Sequence, residues 1–417
     1  MLTSQKKQGD FYMIRDNYLD INKIVKDKKI FRLFRAVENH GGALRFVGGA
    51  VRNALRGIEG SDLDLATDLT PEELVEACTE HGLKTVPIGI KFGTVGVVIN
   101  DKILEVTSLR KDIKSDGRHS DVVFTTDWEI DASRRDLTIN AVYADEKGNV
   151  FDYYNGISDL ENGIVRFIGN PNIRIKEDYL RILRFFRFYA DFGIGEIDEK
   201  SLKACKNNCD GLKQLSGERI RDELSKILLS NQAAKVTKIM ADNGILDNIL
   251  PKMKHFENME FIIKLCCKYQ LQPNWLRRLF ICFNPDKMLA ENLSTRLKLS
   301  KKDRLLFVSW AVNNLDLKQL TNEKYLMMMI YRLGKDFCYH KLILEMAHQN
   351  QDIENISELL QFIQKMEIPI FPIKGRDLIA QGLKENAQIG LTLKKLENKW
   401  IESGFSLNRD ELLSMAV

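Results

Sequence analysis

No apolar run in this chain is long enough to cross a membrane, and Met1 to Asp20 are polar, without the hydrophobic core of an export signal. A cytoplasmic protein without membrane contact is the expectation. Cysteine is sparse: seven residues, an odd number with no Cys-x-x-Cys pair, supply neither a disulfide framework nor a zinc site and point to reduced thiols. Cys205 and Cys209 stand one helical turn apart and read as core packing. The six histidines form no His-Asp phosphohydrolase signature, which argues against a second, hydrolytic domain. Internal repeats and low-complexity linkers are also missing. Net charge is only +4, so a charged partner has to be met by a local patch.

What is present is ordinary globular composition, 44% hydrophobic and 29% charged, over 417 residues, enough for two or more domains. Glycine divides the chain: twenty of 26 lie at or before Gly217. The glycine-rich part alternates short strands (44–47, 93–99, 102–109 and a hairpin across 146–149) with helices (22–38, 49–57, 71–82), the pattern of a mixed α/β domain. Beyond about residue 170 the apolar periodicity is helical almost throughout.

The most informative stretch runs Phe46-Val-Gly-Gly-Ala-Val-Arg-Asn-Ala-Leu-Arg-Gly57 and then Ser61-Asp-Leu-Asp-Leu-Ala-Thr67. Residues two apart on a strand share a face roughly 6–7 Å apart, so Asp62 and Asp64 can converge on shared cations such as Mg²⁺ while Leu63 and Leu65 anchor the other side. Gly48 and Gly49 end the strand and open a helix, where bare N–H groups and the positive dipole end suit phosphate. Asp-x-Asp occurs by chance among 58 acidic residues and Gly-Gly commonly marks a turn. Their order and spacing, with the segments that follow, describe a nucleoside-triphosphate site.

Glu105 shares a strand face with Ile103 and Thr107 while Leu104 and Val106 face inward. A third carboxylate on a neighbouring strand can complete metal binding or accept a proton from an attacking hydroxyl, or be an exposed sheet residue. Arg110 to Asp121 is polar and glycine-bearing and reads as a mobile loop. Ser133-Arg-Arg-Asp-Leu-Thr-Ile-Asn-Ala141 reads as a helix start whose adjacent arginines, Arg134 and Arg135, need anions opposite; triphosphate or RNA backbone is favoured over a structural salt bridge.

From Pro171 to Asp191 one helix is expected. At 100° per residue Ile175, Tyr179, Ile182, Leu183, Phe186, Tyr189 and Ala190 form an apolar stripe, and Arg174, Glu177, Arg181, Arg184 and Phe188 the opposite face, with Asp178 at its flank. Between Val165 and Ala190 five arginines and Lys176 outweigh Glu177 and Asp178 by as much as the whole chain's excess. Pairing of Glu177 or Asp178 with Arg181 one turn on explains the acids as a helix salt bridge. Held coplanar, however, an acid and Arg181 present an acceptor beside a donor. Cytosine and adenine complement that order and uracil and guanine reverse it, so one Asp–Arg pair can select C and A.

On these motifs the chain resembles the class II tRNA nucleotidyltransferases, the CCA-adding enzymes, together with bacterial poly(A) polymerases. Gly48-Gly-Ala-Val-Arg-Asn53 with Ser61 to Thr67 looks like the catalytic motif, and Arg134 to Ala141 like the ribose and phosphate motif. Ile168-Gly-Asn-Pro171 leads into Glu177-Asp-Tyr-Leu-Arg181, which is similar to the amino-acid template. Leu215-Ser-Gly-Glu-Arg-Ile-Arg-Asp-Glu-Leu224 resembles the neck-helix motif, and Gly375-Arg-Asp-Leu-Ile-Ala-Gln-Gly382 with Gly390 and Trp400 the tail of bacterial members. Asn53 stands where the family commonly has Asp.

The resemblance implies an α/β nucleotidyltransferase (polymerase beta-like) head over residues 25–165 behind an N-terminal extension (1–24), then an all-α neck (166–250) and an all-α body and tail (251–417). It implies Mg²⁺-dependent transfer of CMP and AMP from CTP and ATP to a tRNA 3′ end, with no obligate protein partner. Asp62 and Asp64 are the implied metal ligands, and Glu105 joins them as catalytic. Gly48, Gly49 and Arg52 grip the triphosphate; Arg134, Arg135, Asp136 and Asn140 meet phosphate and ribose; Glu177, Asp178 and Arg181, with Arg184, read the nucleotide. Arg296-Leu-Lys-Leu-Ser-Lys-Lys-Asp-Arg304 holds the tRNA backbone or is a solvated face. A-only addition, poly(A) synthesis and a non-catalytic RNA-binding relative are the alternatives. No arginine-rich tail follows Trp400, the loop that CC-only members largely lack is intact, and neither a catalytic carboxylate nor the Asp178–Arg181 template pair is lost.

Overall fold

The computed structural model describes residues 18–25, 27–58, 63–115, 120–383 and 387–416, so Asp62 lies outside the described residues. The chain forms two compact units that divide between Lys252 and Met253.

Among the described residues the first unit has nine strands: β1 (Leu44–Val47), β2 (Asp64–Thr67), β3 (Lys84–Gly89), β4 (Thr94–Ile99), β5 (Lys102–Ser108), β6 (Arg110–Ser115), β7 (Ser120–Phe124), β8 (Val142–Ala144) and β9 (Val150–Asp152). Seven of them make one sheet in the order β3-β4-β5-β2-β1-β8-β9. Only the β2–β5 pairing in it is parallel. Strand alternation then sorts residues between two faces. Phe46, Leu65, Val106 and Val95 lie in register across four strands and are at most 1% exposed. They pack toward α1 (Phe31–Asn39) and α3 (Pro71–Glu80), with the Phe34 and Phe46 rings 5.0 Å apart. Each such side chain contributes about 1.5–3 kcal/mol on burial. α3 starts where Thr70 and Glu73 form a capping box.

Where a loop was expected at 110–121, Arg110–Ser115 and Ser120–Phe124 are instead paired strands, and residues 116–119 lie outside the described residues. β6 and β7 pair antiparallel from Arg110↔Phe124 through Lys111↔Val123 and Asp112↔Val122, with a bulge beyond Asp112. Its polar composition hides the pairing, because the apolar partner strand, Val122 to Phe124, begins only after the polar run ends.

Further helices complete this unit: α2 (Gly49–Leu55), α4 (Trp128–Ser133), α5 (Gly156–Glu161), α6 (Pro171–Glu177), α7 (Leu180–Phe192), α8 (Glu199–Asn208), α9 (Gly217–Leu229) and α10 (Ala233–Asp242). The single helix expected from Pro171 to Asp191 is broken. Asp178 is extended (φ −155°, ψ 110°), and its Oδ1 accepts the Leu180 N–H at 3.0 Å. A short acidic side chain that can bond the backbone two residues on competes with helix continuation and starts a new one. Phe188, expected on the polar face, is 4% exposed.

The second unit is helical: α11 (Phe256–Lys268), α12 (Trp275–Phe283), α13 (Lys287–Arg296), α14 (Lys301–Val312), α15 (Glu323–Leu333), α16 (Lys335–His348), α17 (Ile356–Lys365), α18 (Gly375–Ala380), α19 (Ala387–Glu402) and α20 (Arg409–Ser414). One core gathers Phe280, Phe307 and Trp310, with Phe280 edge-on to the other two rings. Another gathers Leu378, Leu396, Trp400 and Leu412. Among the described residues no helix is long and apolar enough to cross a membrane. The seven cysteines are free; Cys205 is buried in α8, as core packing requires, whereas Cys209 is only partly buried, at the start of the 3-10 turn that follows.

Candidate active site

The sheet face opposite α1 and α3 carries the carboxylates. Tyr143, Val47, Asp64 and Glu105 stand in register on β8, β1, β2 and β5. Paired residues on neighbouring strands share a face about 4.8 Å apart, so Asp64 and Glu105 project together, and both are exposed. Gly48 turns the chain from β1 into α2 with φ +65° and ψ −121°, a conformation that suits glycine. A Cβ at Gly48 would lie 3.7 Å from Arg135 Nη1 and 4.0 Å from Asp64 Oδ2. Gly48, Asp64 and Arg135 therefore border one small space, with Gly49 as the first residue of α2 beside it.

The two adjacent arginines have an internal anion, the structural salt bridge that the sequence ranks below triphosphate or RNA backbone. They stand at the end of α4, not at a helix start. Asp131, three and four residues earlier, accepts from Arg134 Nε at 2.8 Å and Nη2 at 2.6 Å and from Arg135 Nη2 at 3.2 Å. The Tyr143 hydroxyl donates to Asp131 at 2.8 Å and accepts from Arg135 Nε at 3.1 Å. Burial raises the Asp131 pKa, but the guanidiniums of Arg135 and Arg134 and the Tyr143 hydrogen bond outweigh it, so the carboxyl stays below its ordinary range.

A second network runs from α2 to α7. Arg52 donates from Nη1 to Asn140 Oδ1, Asn140 Nδ2 donates to Asp136 Oδ1 at 3.1 Å, and Arg184 Nε donates to Asp136 Oδ2 at 2.6 Å. Burial disfavours the Asp136 anion, but the charge and hydrogen bond of Arg184, the Asn140 hydrogen bond and the Arg181 charge together outweigh it and hold the pKa well below the usual carboxylate range. Arg52 also donates to Asn53 Oδ1 at 3.1 and 2.9 Å, which gives Asn53 a function its amide oxygen serves as an Asp would. The guanidiniums of Arg52, Arg184 and Arg187 lie 4.9, 5.4 and 4.2 Å from the Phe188 ring. Burial lowers the Arg52 pKa to about 10, and the charge of Arg187 acts the same way. Arg52 is thus enclosed, beside a cleft of about 420 Å³ lined by Asn53, Arg187 and Phe188.

Glu177, Asp178 and Arg181, the residues expected to read the base, sit at the α6–α7 break. Arg181 donates from Nη1 to Glu177 and to the Arg174 carbonyl at 2.9 Å, and Arg174 Nη1 donates to Glu177 at 2.5 Å. Asp178 takes a different partner: Arg219 of α9 donates from Nη2 to its Oδ2 at 2.7 Å. The coplanar Asp178–Arg181 pair expected from the sequence is thus replaced by Glu177–Arg181 and Asp178–Arg219. Arg174 ties this corner to the phosphate motif by donating to the carbonyls of Arg134 and, at 2.8 Å, Arg135. Asp131 and Tyr143 were not singled out from the sequence, and Arg174 and Arg219 entered only as part of a helix face and of the neck-helix motif. Asp131 carried a signal, its i,i+3 and i,i+4 spacing to the two arginines.

Two family descriptions match the chain: Poly A polymerase head domain at residues 44–166, and probable RNA and SrmB-binding site of polymerase A at residues 196–257. CCA tRNA nucleotidyltransferase 1, mitochondrial, of Mus musculus is 35% identical over 400 residues, covering 93% of this chain and 88% of that protein. The CCA-adding enzyme of Staphylococcus epidermidis is 27% identical over 394 residues, covering 91% and 95%. Among solved structures, the Bacillus stearothermophilus CCA-adding enzyme in complex with CTP superposes with a TM-score of 0.77 at 22% identity, covering 94% of this chain and 97% of that one. The Thermotoga maritima enzyme complexed with tRNA gives 0.64 at 23% identity, covering 96% and 99%. A mixed-sheet head followed by helices is the shared fold, and at this identity and coverage the chain belongs to the CCA tRNA nucleotidyltransferase family.

Proposed function

We propose that this protein completes tRNA 3′ ends by adding CMP and AMP from CTP and ATP without a nucleic-acid template. The observation that carries the reading is the register of Asp64 with Glu105 beside Gly48 and Arg135. In the reaction the primer 3′-hydroxyl attacks the α-phosphorus, a phosphodiester forms, and pyrophosphate leaves. Asp64 and Glu105 are exposed hard oxygen donors, and Mg²⁺ commonly takes one or two carboxylates and completes its shell with water and substrate phosphate, so the donor set fits. Asp62 and Asp64 are the proposed ligands, and bound Mg²⁺ supplies neutralisation of the charge gathered on the leaving pyrophosphate. Glu105, in register with Asp64 on the next strand, is proposed to accept the hydroxyl proton.

Gly48 and Gly49 bring bare backbone to the phosphate at the start of α2, and Arg135 adds a guanidinium, oriented by Asp131 and Tyr143. Asp136 and Asn140 are the proposed ribose contacts, and Arg52 and Arg184 orient them by hydrogen bonds. Glu177, Asp178 and Arg181 read the base edge. Lys298, Lys301, Lys302 and Arg304, exposed at the α13–α14 corner, are proposed to hold tRNA backbone phosphates. Free thiols support a reducing compartment, with the cytoplasm proposed.

The test is the product sequence from purified protein and tRNA transcripts ending before CCA, after C and after CC, each with single nucleotides. Ordered C, C, A addition is expected. Addition of A alone or of an A tract would assign the A-adding or poly(A) activity instead, and no addition a non-catalytic role.

A further inference from the structure

The break between α6 and α7 is held by more than its charges. Tyr179 sits between Asp178 and Leu180, and its ring rests on the 3-10 turn Cys209–Gln214 that precedes α9. A Cβ built on Gly211 would fall 2.0 Å from Tyr179 Cδ1, 2.1 Å from Cε1 and 2.4 Å from Cγ. Carbon atoms in contact prefer about 3.5–4.0 Å, so no side chain fits there while the ring stays in place. Gly211 is not among the glycines with positive φ. The requirement at 211 is therefore for space, and alanine can adopt the same backbone. Gly211 is also buried, which leaves the ring no slack on that side.

We propose that Gly211 is a specificity-determining position for nucleotide addition: it seats the Tyr179 ring, and the seated ring sets where Asp178 presents its carboxylate. The inference rests on the base-reading role of Asp178 and Arg181. Asp178 is bonded forward to the Leu180 N–H at 3.0 Å and sideways to Arg219 at 2.7 Å, so a shift of Tyr179 travels into both contacts. The carboxylates at Asp64 and Glu105 lie on the sheet, outside this turn. Filling the seat should then disturb base choice and nucleotide affinity more than the chemical step, because a misplacement near 1 Å can cost up to about a hundredfold where geometry decides the reaction.

The experiment uses the full chain and compares Gly211→Ala, Tyr179→Ala, the double variant and Arg181→Ala, each with all four triphosphates and with a thermal melt. Gly211→Ala is expected to raise KM for CTP and ATP about tenfold and UTP and GTP incorporation by a similar factor, with kcat for CTP changed far less. Removing the ring relieves the clash, so the double variant should return to the level of Tyr179→Ala alone, a non-additivity that a merely structural glycine would not produce. Wild-type selection in a folded Gly211→Ala protein, or a double variant no better than Gly211→Ala, overturns the proposal. Should Gly211→Ala fail to fold, the double variant decides: folding with Tyr179→Ala selectivity supports the seat, and failure to fold overturns it. If Arg181→Ala leaves selection unchanged, it is the base-reading assignment that falls. If Arg181→Ala relaxes selection and Gly211→Ala does not, only the seat falls.

Discussion

Arg219 and Asp178 meet at 2.7 Å across 41 residues of chain, joining α9 to the extended residue that ends α6. Both side chains are partly exposed, 27% and 20%, so the pair adds little stability, about 0–1 kcal/mol. Its consequence is orientation, because the other oxygen of Asp178 is already committed to the Leu180 N–H. Arg219→Ala is expected to leave the melting temperature nearly unchanged while raising KM for CTP and ATP about tenfold, the value of a lost charged hydrogen bond. Arg219→Lys keeps charge without the rigid fork and should fall between. Steady-state kinetics with each triphosphate decide it; wild-type KM in Arg219→Ala would reduce the pair to a surface contact.

Asp64 is exposed on its strand, so removing its carboxylate costs the core nothing. Asp64→Ala should keep the wild-type melt and tRNA affinity and lose nucleotidyl transfer by several orders of magnitude, as expected on losing a metal ligand. Glu105→Gln, which keeps shape and hydrogen bonding but not basicity, should slow transfer and alter its pH profile. Transfer that persists in Asp64→Ala and still responds to Mg²⁺ would remove Asp64 from the metal site.

Asp131 is the opposite case, 1% exposed and facing two guanidiniums. Asp131→Ala leaves Arg134 and Arg135 without their shared anion, and breaking a buried pair from one side costs about 3–5 kcal/mol. In a unit this large, a melting temperature lower by about 10 °C is expected. Activity should fall with it, since Arg135 borders the space beside Gly48 and Asp64. An unaltered melt would show that the arginines find other partners.

Much of this site was legible because strand alternation is a two-residue rule. Leu65 and Val106 identify the buried face, which leaves Asp64 and Glu105 on the other, and the Gly48-Gly49 step places a turn between β1 and α2. What failed had specific causes. The 100° pattern runs straight through Asp178, because apolar periodicity does not register a side chain that caps the next helix. The Arg134-Arg135 pair suggested an external anion only because Asp131 was not placed one turn before it. Polar composition concealed β6, whose partner residues follow it. Arg219 and Gly211 reach Asp178 and Tyr179 at the α6–α7 break through the packing of α9 and the turn before it, which no local window in the sequence contains.

The second unit should be the first to respond to acid, and His340 supplies the reason. Its ring lies 5.5 Å from that of Trp310 and 5.2 Å from that of Tyr339, and its buried Nδ1 has no hydrogen-bond partner. Burial lowers its pKa from the ordinary 6.5 to about 4, with the Arg277 charge acting the same way and Asp336 opposing. A depressed pKa means that the unfolded chain binds the proton at pH 4–6.5 while the folded chain does not, so stability rises with pH across that window. The full difference is about 3 kcal/mol, reached only below pH 4. His348, also shifted down by burial, adds in the same direction. The depressed carboxylates Asp131 and Asp136 contribute stability above the ordinary carboxylate pKa of 3.8 and lose it only as pH falls below that, so the two units separate on the pH axis. Denaturant midpoints of the full chain at pH 7.5, 6 and 5 should fall progressively in the transition of residues 253–417, and His340→Leu should flatten that slope while holding stability at pH 7.5. Parallel slopes for the wild type and His340→Leu would mean that His340 titrates as freely in the folded protein as in the unfolded one.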